Sequence, residues 1–203
     1  QIIALRANRP VDGYNAENVT IHNNTLTTQG SGGTQRGISD VYGGTKGVLI
    51  YANDISGVTS NGITVEGVAI VRDNYIHDFN YFQGNHQSGI STHGTGTAIL
   101  IEHNSVMIFS EGVSGAITVY SDFAPADNVT VTRNLVAGGS YAIYGGENGY
   151  LAIGNIVITD NHISQANPKY PKGGILGWLA SFNPSKPGNL ASGNVWHESG
   201  LLI

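Results

Sequence analysis

Ile99-Leu-Ile101-Glu-His-Asn104-Ser-Val106 and Val129-Thr-Val131-Thr-Arg-Asn134-Leu-Val136 share one pattern. Two apolar residues alternate, an Asn follows three positions after the second, and a further apolar residue stands two beyond it. Working outward, the same pattern is found in Val19-Thr-Ile21-His-Asn-Asn24-Thr-Leu26 and Val48-Leu-Ile50-Tyr-Ala-Asn53-Asp-Ile55. It recurs in Ala69-Ile-Val71-Arg-Asp-Asn74-Tyr-Ile76 and Ile156-Val-Ile158-Thr-Asp-Asn161-His-Ile163, with a degenerate copy in Leu190-Ala-Ser-Gly-Asn194-Val-Trp196. The steps between Asn24, Asn53, Asn74, Asn104, Asn134, Asn161 and Asn194 are 29, 21, 30, 30, 27 and 33 residues. Alternation inside each copy predicts a strand with one buried face. The Asn is expected to mark a sharp bend, because its short amide tolerates the left-handed region and can bond the local backbone.

A second strand series alternates with the first and is announced by Gly: Gly37-Ile38-Ser, Gly62-Ile63-Thr-Val65, Gly89-Ile90-Ser-Thr92, Gly115-Ala-Ile117-Thr-Val119, Ala142-Ile143-Tyr144 and Gly174-Ile175-Leu176. A repeat of 20–30 residues with one bend residue at a fixed place is the mark of a solenoid rather than a sandwich. The expected fold is therefore all-β: a single-stranded right-handed parallel β-helix of about seven coils, forming one domain over residues 1–203. Equivalent Asn residues would stack at the strand spacing into an amide ladder, and the stack would rise roughly 30–35 Å.

Composition agrees. Only 11% of residues are charged, and 29 Gly take up part of the difference, which suits short strands and tight turns better than helices. With 40% hydrophobic residues recurring regularly, disorder is a poor reading. A net charge of −5 lacks the basic footprint of a nucleic-acid binder. No apolar run is long enough to span a membrane, and there is no cysteine for disulfides or thiolate metal sites. The chain opens at Gln1 without a signal segment, and is expected to be a processed protein or the C-terminal part of a longer one. The polar opening from Arg6 to Tyr14 makes a thin cap, so a further segment, a homotrimeric arrangement or a partner protein is expected to cover that end. Leu201-Leu-Ile203 is expected to fold back as a cap or meet a neighbour.

Several stretches carry a resemblance: Asp73-Asn-Tyr-Ile-His-Asp78, His86-Gln-Ser-Gly-Ile90, Ile101-Glu-His-Asn104, Asp122-Phe-Ala-Pro-Ala-Asp-Asn128, Gly138-Gly-Ser-Tyr141, Tyr144-Gly-Gly146 and Gly193-Asn-Val-Trp196. With these the chain resembles the right-handed parallel β-helix repeat proteins of the pectate-lyase-like superfamily, and within it an actinobacterial and phage tail-associated group. The resemblance implies an extracellular, secreted or virion-associated protein and specifies the fold more than the activity, since this fold hosts lyases, hydrolases, adhesins and spikes. The family segment His-x-Asp-Gly-Ile-Gln is altered here, with Ser88 in place of Asp and Ser91 in place of Gln.

Residues just past the Gly-Ile strands fall into columns that collect Asp40, Glu66, His93, Tyr120, Asp122, Glu147 and Trp178; the loops before the strands add Tyr81, Phe82 and His86, and Tyr144 lies within a strand. Carboxylates, imidazoles and aromatic faces along one edge are what a long glycan needs. Solvated turn residues alone would give such a column too. We expect His86, His93, Asp122 and Glu147 as the candidates for catalysis. Asp40, Glu66, Tyr81, Phe82, Tyr120, Tyr144 and Trp178 are the candidates for substrate binding. Two carboxyls from neighbouring coils, such as Asp122 and Glu147, could sit the roughly 6.5–9.5 Å apart that inverting hydrolysis requires. His77, Asp78, His86 and His93 make one segment rich in bases, for which turn-pinning is the plainer role.

No polygalacturonase-type or calcium-lyase pattern is present, and neither cofactor nor metal is expected. His22, His103 and His162 flank ladder Asn residues at different offsets and should not form one column. Two functions follow: a β-helix that binds, or binds and cleaves as lyase or glycoside hydrolase, a polysaccharide or cell-surface glycan; or a non-enzymatic structural or receptor-binding β-helix of a phage tail, virion or adhesin.

Overall fold

The computed structural model describes residues 3–6, 17–28, 35–41, 46–93, 98–122, 124–147 and 154–203. The expected cap from Arg6 to Tyr14 lies outside these residues apart from the Arg6 backbone, as does Phe123 of the resembling stretch.

The described residues form 21 strands and no helix, hence no helix long and apolar enough to cross a membrane. All strand pairs between coils are parallel, and they build three seven-stranded sheets. Sheet I holds β1 (Ile3–Arg6), β4 (Ile38–Val41), β7 (Ile63–Thr64), β10 (Gln87–Thr92), β13 (Val113–Val119), β16 (Tyr141–Gly145) and β19 (Gly177–Ala180). Sheet II holds β2 (Thr20–His22), β5 (Val48–Tyr51), β8 (Ala69–Arg72), β11 (Ile99–Glu102), β14 (Asp127–Thr132), β17 (Gly154–Thr159) and β20 (Leu190–Ser192). Sheet III holds β3 (Thr25–Thr27), β6 (Asp54–Ser56), β9 (Tyr75–His77), β12 (Ser105–Ile108), β15 (Leu135–Gly138), β18 (His162–Ile163) and β21 (Val195–Trp196). The chain visits I, II and III in turn and climbs one strand spacing per coil, a right-handed parallel β-solenoid. It makes about five turns, slightly fewer than expected: the coils from β4 to β18 are stacked on both sides, while β1–β3 and β19–β21 form the ends.

Register turns the repeat into a core. Ile99 aligns with Ala69 and Val129, and Ile101 with Val71 and Val131, so two apolar rows run up the inside of sheet II. Ile38, Ile63, Ile90, Ile117 and Ile143 make the row of sheet I. Leu26, Ile55, Ile76, Val106, Val136 and Ile163 make that of sheet III, and all are buried. Each row keeps branched side chains in contact along its whole length, which suits their restricted rotamers. Gly before the Ile of sheet I has a steric reason. A Cβ on Gly62 would stand 2.7 Å from the Gly89 carbonyl oxygen of the next coil, and one on Gly89 would overlap Val106.

The asparagines form the predicted ladder. Nδ2 of each donates to Oδ1 of the next coil's Asn, in the unbroken order Asn24, Asn53, Asn74, Asn104, Asn134, Asn161, Asn194, at 2.9–3.0 Å. Each Oδ1 also accepts the backbone N–H of the preceding Asn, as Asn104 does from Asn74 at 3.0 Å. Asn104 Nδ2 further donates to the carbonyls of Val71 (2.9 Å) and Glu102 (3.0 Å), so one buried amide satisfies five backbone and side-chain groups of three coils. The left-handed bend falls one residue earlier than expected. Asn23, Ala52, Asp73, His103, Arg133 and Asp160 have φ of 53–58°, and Gly193 has 67°. The ladder Asn supplies the amide bonds, while its predecessor, whatever its type, carries the backbone strain.

One strand differs from expectation. Ile175 and Leu176 donate their N–H groups to the carbonyls of Gly139 and Ser140, alongside the turn before β16, and both side chains are exposed. The strand begins at Gly177 instead, and Leu179 aligns with Ile143. At the end of the chain, 201–203 folds back on β21 as expected of a cap: Trp196 N–H donates to Leu201 O at 2.9 Å, Ile203 N–H donates to Asn194 O at 3.0 Å, and Leu202 bridges Val195 antiparallel.

Replacing Asn104 by Ala strands the Asn74 N–H and the Val71 carbonyl in the interior, so chemical denaturation should show a loss of about 2–4 kcal/mol. Asn24→Ala, at the half-exposed end of the ladder, should cost about 1 kcal/mol or less, since water can replace what is lost there. Equal losses at both positions would contradict the ladder as the source of stability.

Candidate functional site

The positions of sheet I that alternate with its inward Ile row carry small hydroxyls in register, Ser39, Thr64, Ser91 and Thr118, all of them buried, then half-buried Tyr144. Along its downstream edge stand His93 and Tyr120, the residues just past β10 and β13. A run of four rings leads diagonally away: His93 to Tyr120 at 5.8 Å, Tyr120 to Tyr144 at 5.6 Å, and Tyr144 to Tyr141 at 5.6 Å edge-on. Burial pushes the Tyr120 phenol up to about 12, with Ser114 pulling it partly back and Tyr144 and Asp122 adding to the rise. Tyr144 is raised for the same first reason, burial, and by Tyr141.

Beyond Tyr144 the run opens into a cleft of about 530 Å³ at the upstream corner of sheet I, where the chain passes from sheet III to sheet I. His86, Glu111, Ser114, Tyr144, Lys169 and Tyr170 line it. The long segment before β19 reaches back over two coils to close one side. Tyr170 donates its hydroxyl to the Phe109 carbonyl at 2.9 Å and packs its ring 5.1 Å from that of Phe109. Burial raises the Tyr170 phenol, and Glu111 raises it further. Tyr81, half exposed, lies over Gly112 on the same rim: a Cβ there would sit 3.4 Å from its ring.

The four candidates for catalysis are not brought together. His86 belongs to the upstream cleft, and His93 to the downstream edge. The six residues of β10 between them span roughly 20 Å. Asp122 holds His93, Oδ2 to Nδ1 at 3.2 Å, and the other ring nitrogen, Nε2, faces Ser91 Oγ at 3.2 Å. That order of bonds resembles an oriented base with its hydroxyl. Ser91, however, is fully buried. The nitrogen that would accept a proton is therefore turned into the protein and away from a ligand in the groove. Glu147 is half-buried, and its Oε2 has no hydrogen-bond partner among the described residues.

Of the binding candidates, Tyr120 and Tyr144 sit on the ring run and Tyr81 on the rim, while Phe82 is half-buried in the same loop as Tyr81. Asp40 and Glu66 are buried, so they present little carboxylate to a ligand outside. Trp178 lies within β19, level with Ala142, and packs half-buried against the core rather than past its strand. Glu111, Lys169 and Tyr170 do not stand out in the sequence, while Ser91 is marked there only as a departure from the family segment and Tyr141 only as part of a resembling stretch. A signal for Lys169 and Tyr170 existed in the longest step, 33 residues from Asn161 to Asn194, which leaves room for an inserted loop.

Several of the remaining basic and imidazole side chains have structural partners. Arg133 pairs with Glu102, and Arg72 with Asp73 at 2.6 Å while lying 5.1 Å over the Tyr51 ring. His77 is clamped on sheet III between Asp54 (2.9 Å) and Asp78 (2.8 Å) and stacks on Tyr75 at 4.0 Å. Burial works against its charged form, but Asp78 and Asp54 outweigh that and raise it above 6.5. His22 stacks on Tyr51, and His103 bonds Asp73 at 2.6 Å, so they form no common column. Among the described residues no group of three or more His, Asp or Glu is placed to hold a metal ion.

No protein-family model matches the chain, and neither a curated protein nor a solved structure matches it significantly.

Two titrations check this electrostatic picture. The His77 clamp stabilises the fold fully below the free imidazole value near 6.5 and loses its contribution as pH rises through the raised folded value. An NMR titration should place His77 above 6.5 and find it lowered in Asp54→Asn. Tyr120 acts at the other end. Between pH 10 and about 12 an unfolded phenol ionises while the folded one does not, so stability should fall across that window, less steeply in Tyr120→Phe.

Proposed function

We propose that this β-solenoid binds an extracellular polysaccharide or cell-surface glycan along the outer face of sheet I. The observation that carries the reading is the ring run His93–Tyr120–Tyr144–Tyr141 leading into the cleft lined by His86, Glu111 and Lys169. Rings with centroids 5.6–5.8 Å apart offer successive apolar surfaces, and Lys169 and Glu111 offer hydrogen-bond partners to sugar hydroxyls. The resemblance to pectate-lyase-like β-helices supports this reading and fits a protein that works outside the cell or on a virion. Within that family, cleavage by a lyase or hydrolase mechanism would fall to His93 with Asp122, or to Glu147. The inward-facing Nε2 of His93 favours the second reading: a receptor-binding β-helix, of a phage tail or adhesin, that holds a glycan without cutting it.

A panel of acidic and neutral polysaccharides separates these outcomes. Calorimetry should detect binding to at least one of them, weakened about tenfold in Tyr144→Ala and in Tyr120→Ala. Tyr75→Ala, on sheet III, should leave it unchanged. New reducing ends or unsaturated uronates that vanish in Asp122→Ala would establish cleavage. Binding without products would establish the receptor role. Absence of binding across the panel, or full binding in both tyrosine variants, would sink the proposal.

A further inference from the structure

The last coils carry a pair of imidazoles far from the groove. His162 opens β18 and lies level with Val195 in β21, and His197 follows β21 directly. Ladder bonds fix both backbones: His162 N–H donates to Asn134 O at 2.8 Å, and His197 N–H to Ile163 O at 2.9 Å. Both side chains are exposed and could swing into water. Instead the rings meet edge-on, centroids 5.5 Å apart, with the two Nδ1 atoms 3.3 Å from each other. Two nitrogens bound at about 2.0–2.1 Å to one tetrahedral ion stand about 3.3–3.4 Å apart.

We infer that His162 and His197 form a two-imidazole site for a borderline divalent ion, zinc above all, with both Nδ1 atoms as ligands and water in the remaining positions. Neutral imidazoles suit zinc, copper(II) or nickel, whereas calcium and magnesium demand oxygen donors. Glu198 is not a third ligand. Its carboxylate is held by Ser164 Oγ at 2.6 Å and by the Gln165 N–H at 3.0 Å. Bound zinc would tie β18 to the turn after β21, so it acts as a clasp on the C-terminal end of the stack. The ligands come from different coils, 35 residues apart, which is why no sequence spacing announces them.

Calorimetric titration of the full chain with zinc chloride tests this. The expected result is one ion per chain, binding at least tenfold weaker in His162→Ala and in His197→Ala, and unchanged in His103→Ala. Zinc should also raise the melting temperature of the parent protein by several degrees, and that of neither site variant. Circular dichroism of the zinc-free variants verifies that they are folded, with His162→Asn replacing any that is not. No saturable binding below millimolar zinc, or undiminished binding in both single variants, overturns the site.

Discussion

The amide of the ladder asparagine is the constraint on which the rest depends. A parallel solenoid must turn a corner in every coil, and each corner strips backbone groups of their ladder partners. One buried Asn per coil answers this: its Oδ1 takes an N–H from the coil on one side, and its Nδ2 serves carbonyls of its own and the neighbouring coil. Because Asn bonds to Asn, each coil's position fixes the next. The cost is a left-handed residue at every corner, and side chains as unlike as Ala52, His103 and Arg133 occupy it. That tolerance shows the bend is held by the ladder and not by local preference.

Once the coils are locked in register, every position of the repeat becomes a column. On sheet III outward side chains engage each other, such as His77 with Tyr75. On sheet II the outward column is Leu49, Ile70, Leu100, Thr130 and Val157, with pairs such as Arg133 with Glu102 at its strand ends. Sheet I is different. Its outward positions carry small, buried hydroxyls, its rims carry tyrosines, and an inserted loop walls one corner into a cleft. The asymmetry among three otherwise equivalent faces is the physical reason to seek function there. The strand-length separation of His86 from His93, and the burial of Ser91, then turn the reading from cleavage toward recognition.

Sheets I and II were legible because their strands show two inward residues in alternation, which is the minimum a period-two pattern needs. Sheet III was hidden, since strands such as Tyr75–His77 and His162–Ile163 contribute one inward residue each, and a single apolar residue has no period. Gly174-Ile175 copied the local motif of sheet I, yet its backbone bonds to Gly139 and Ser140, a partner that no local pattern specifies. The same limit governs the site. Tyr120 and His93 could be found by counting from the strand, because columns preserve offsets. Lys169 and Tyr170 come from a loop whose path depends on the Phe109 contact, and the His162–His197 pair depends on stacking.

Hydrogen exchange of the asparagine side-chain amides by NMR tests the central claim most directly. If the ladder carries the fold, the Nδ2 protons of Asn74, Asn104 and Asn134 should exchange as slowly as the backbone amides of Ile99–Glu102, and those of Asn24 markedly faster. Fast and uniform exchange of all these side chains, with the strands still protected, would show that the apolar rows hold the coils and that the amides merely accompany them.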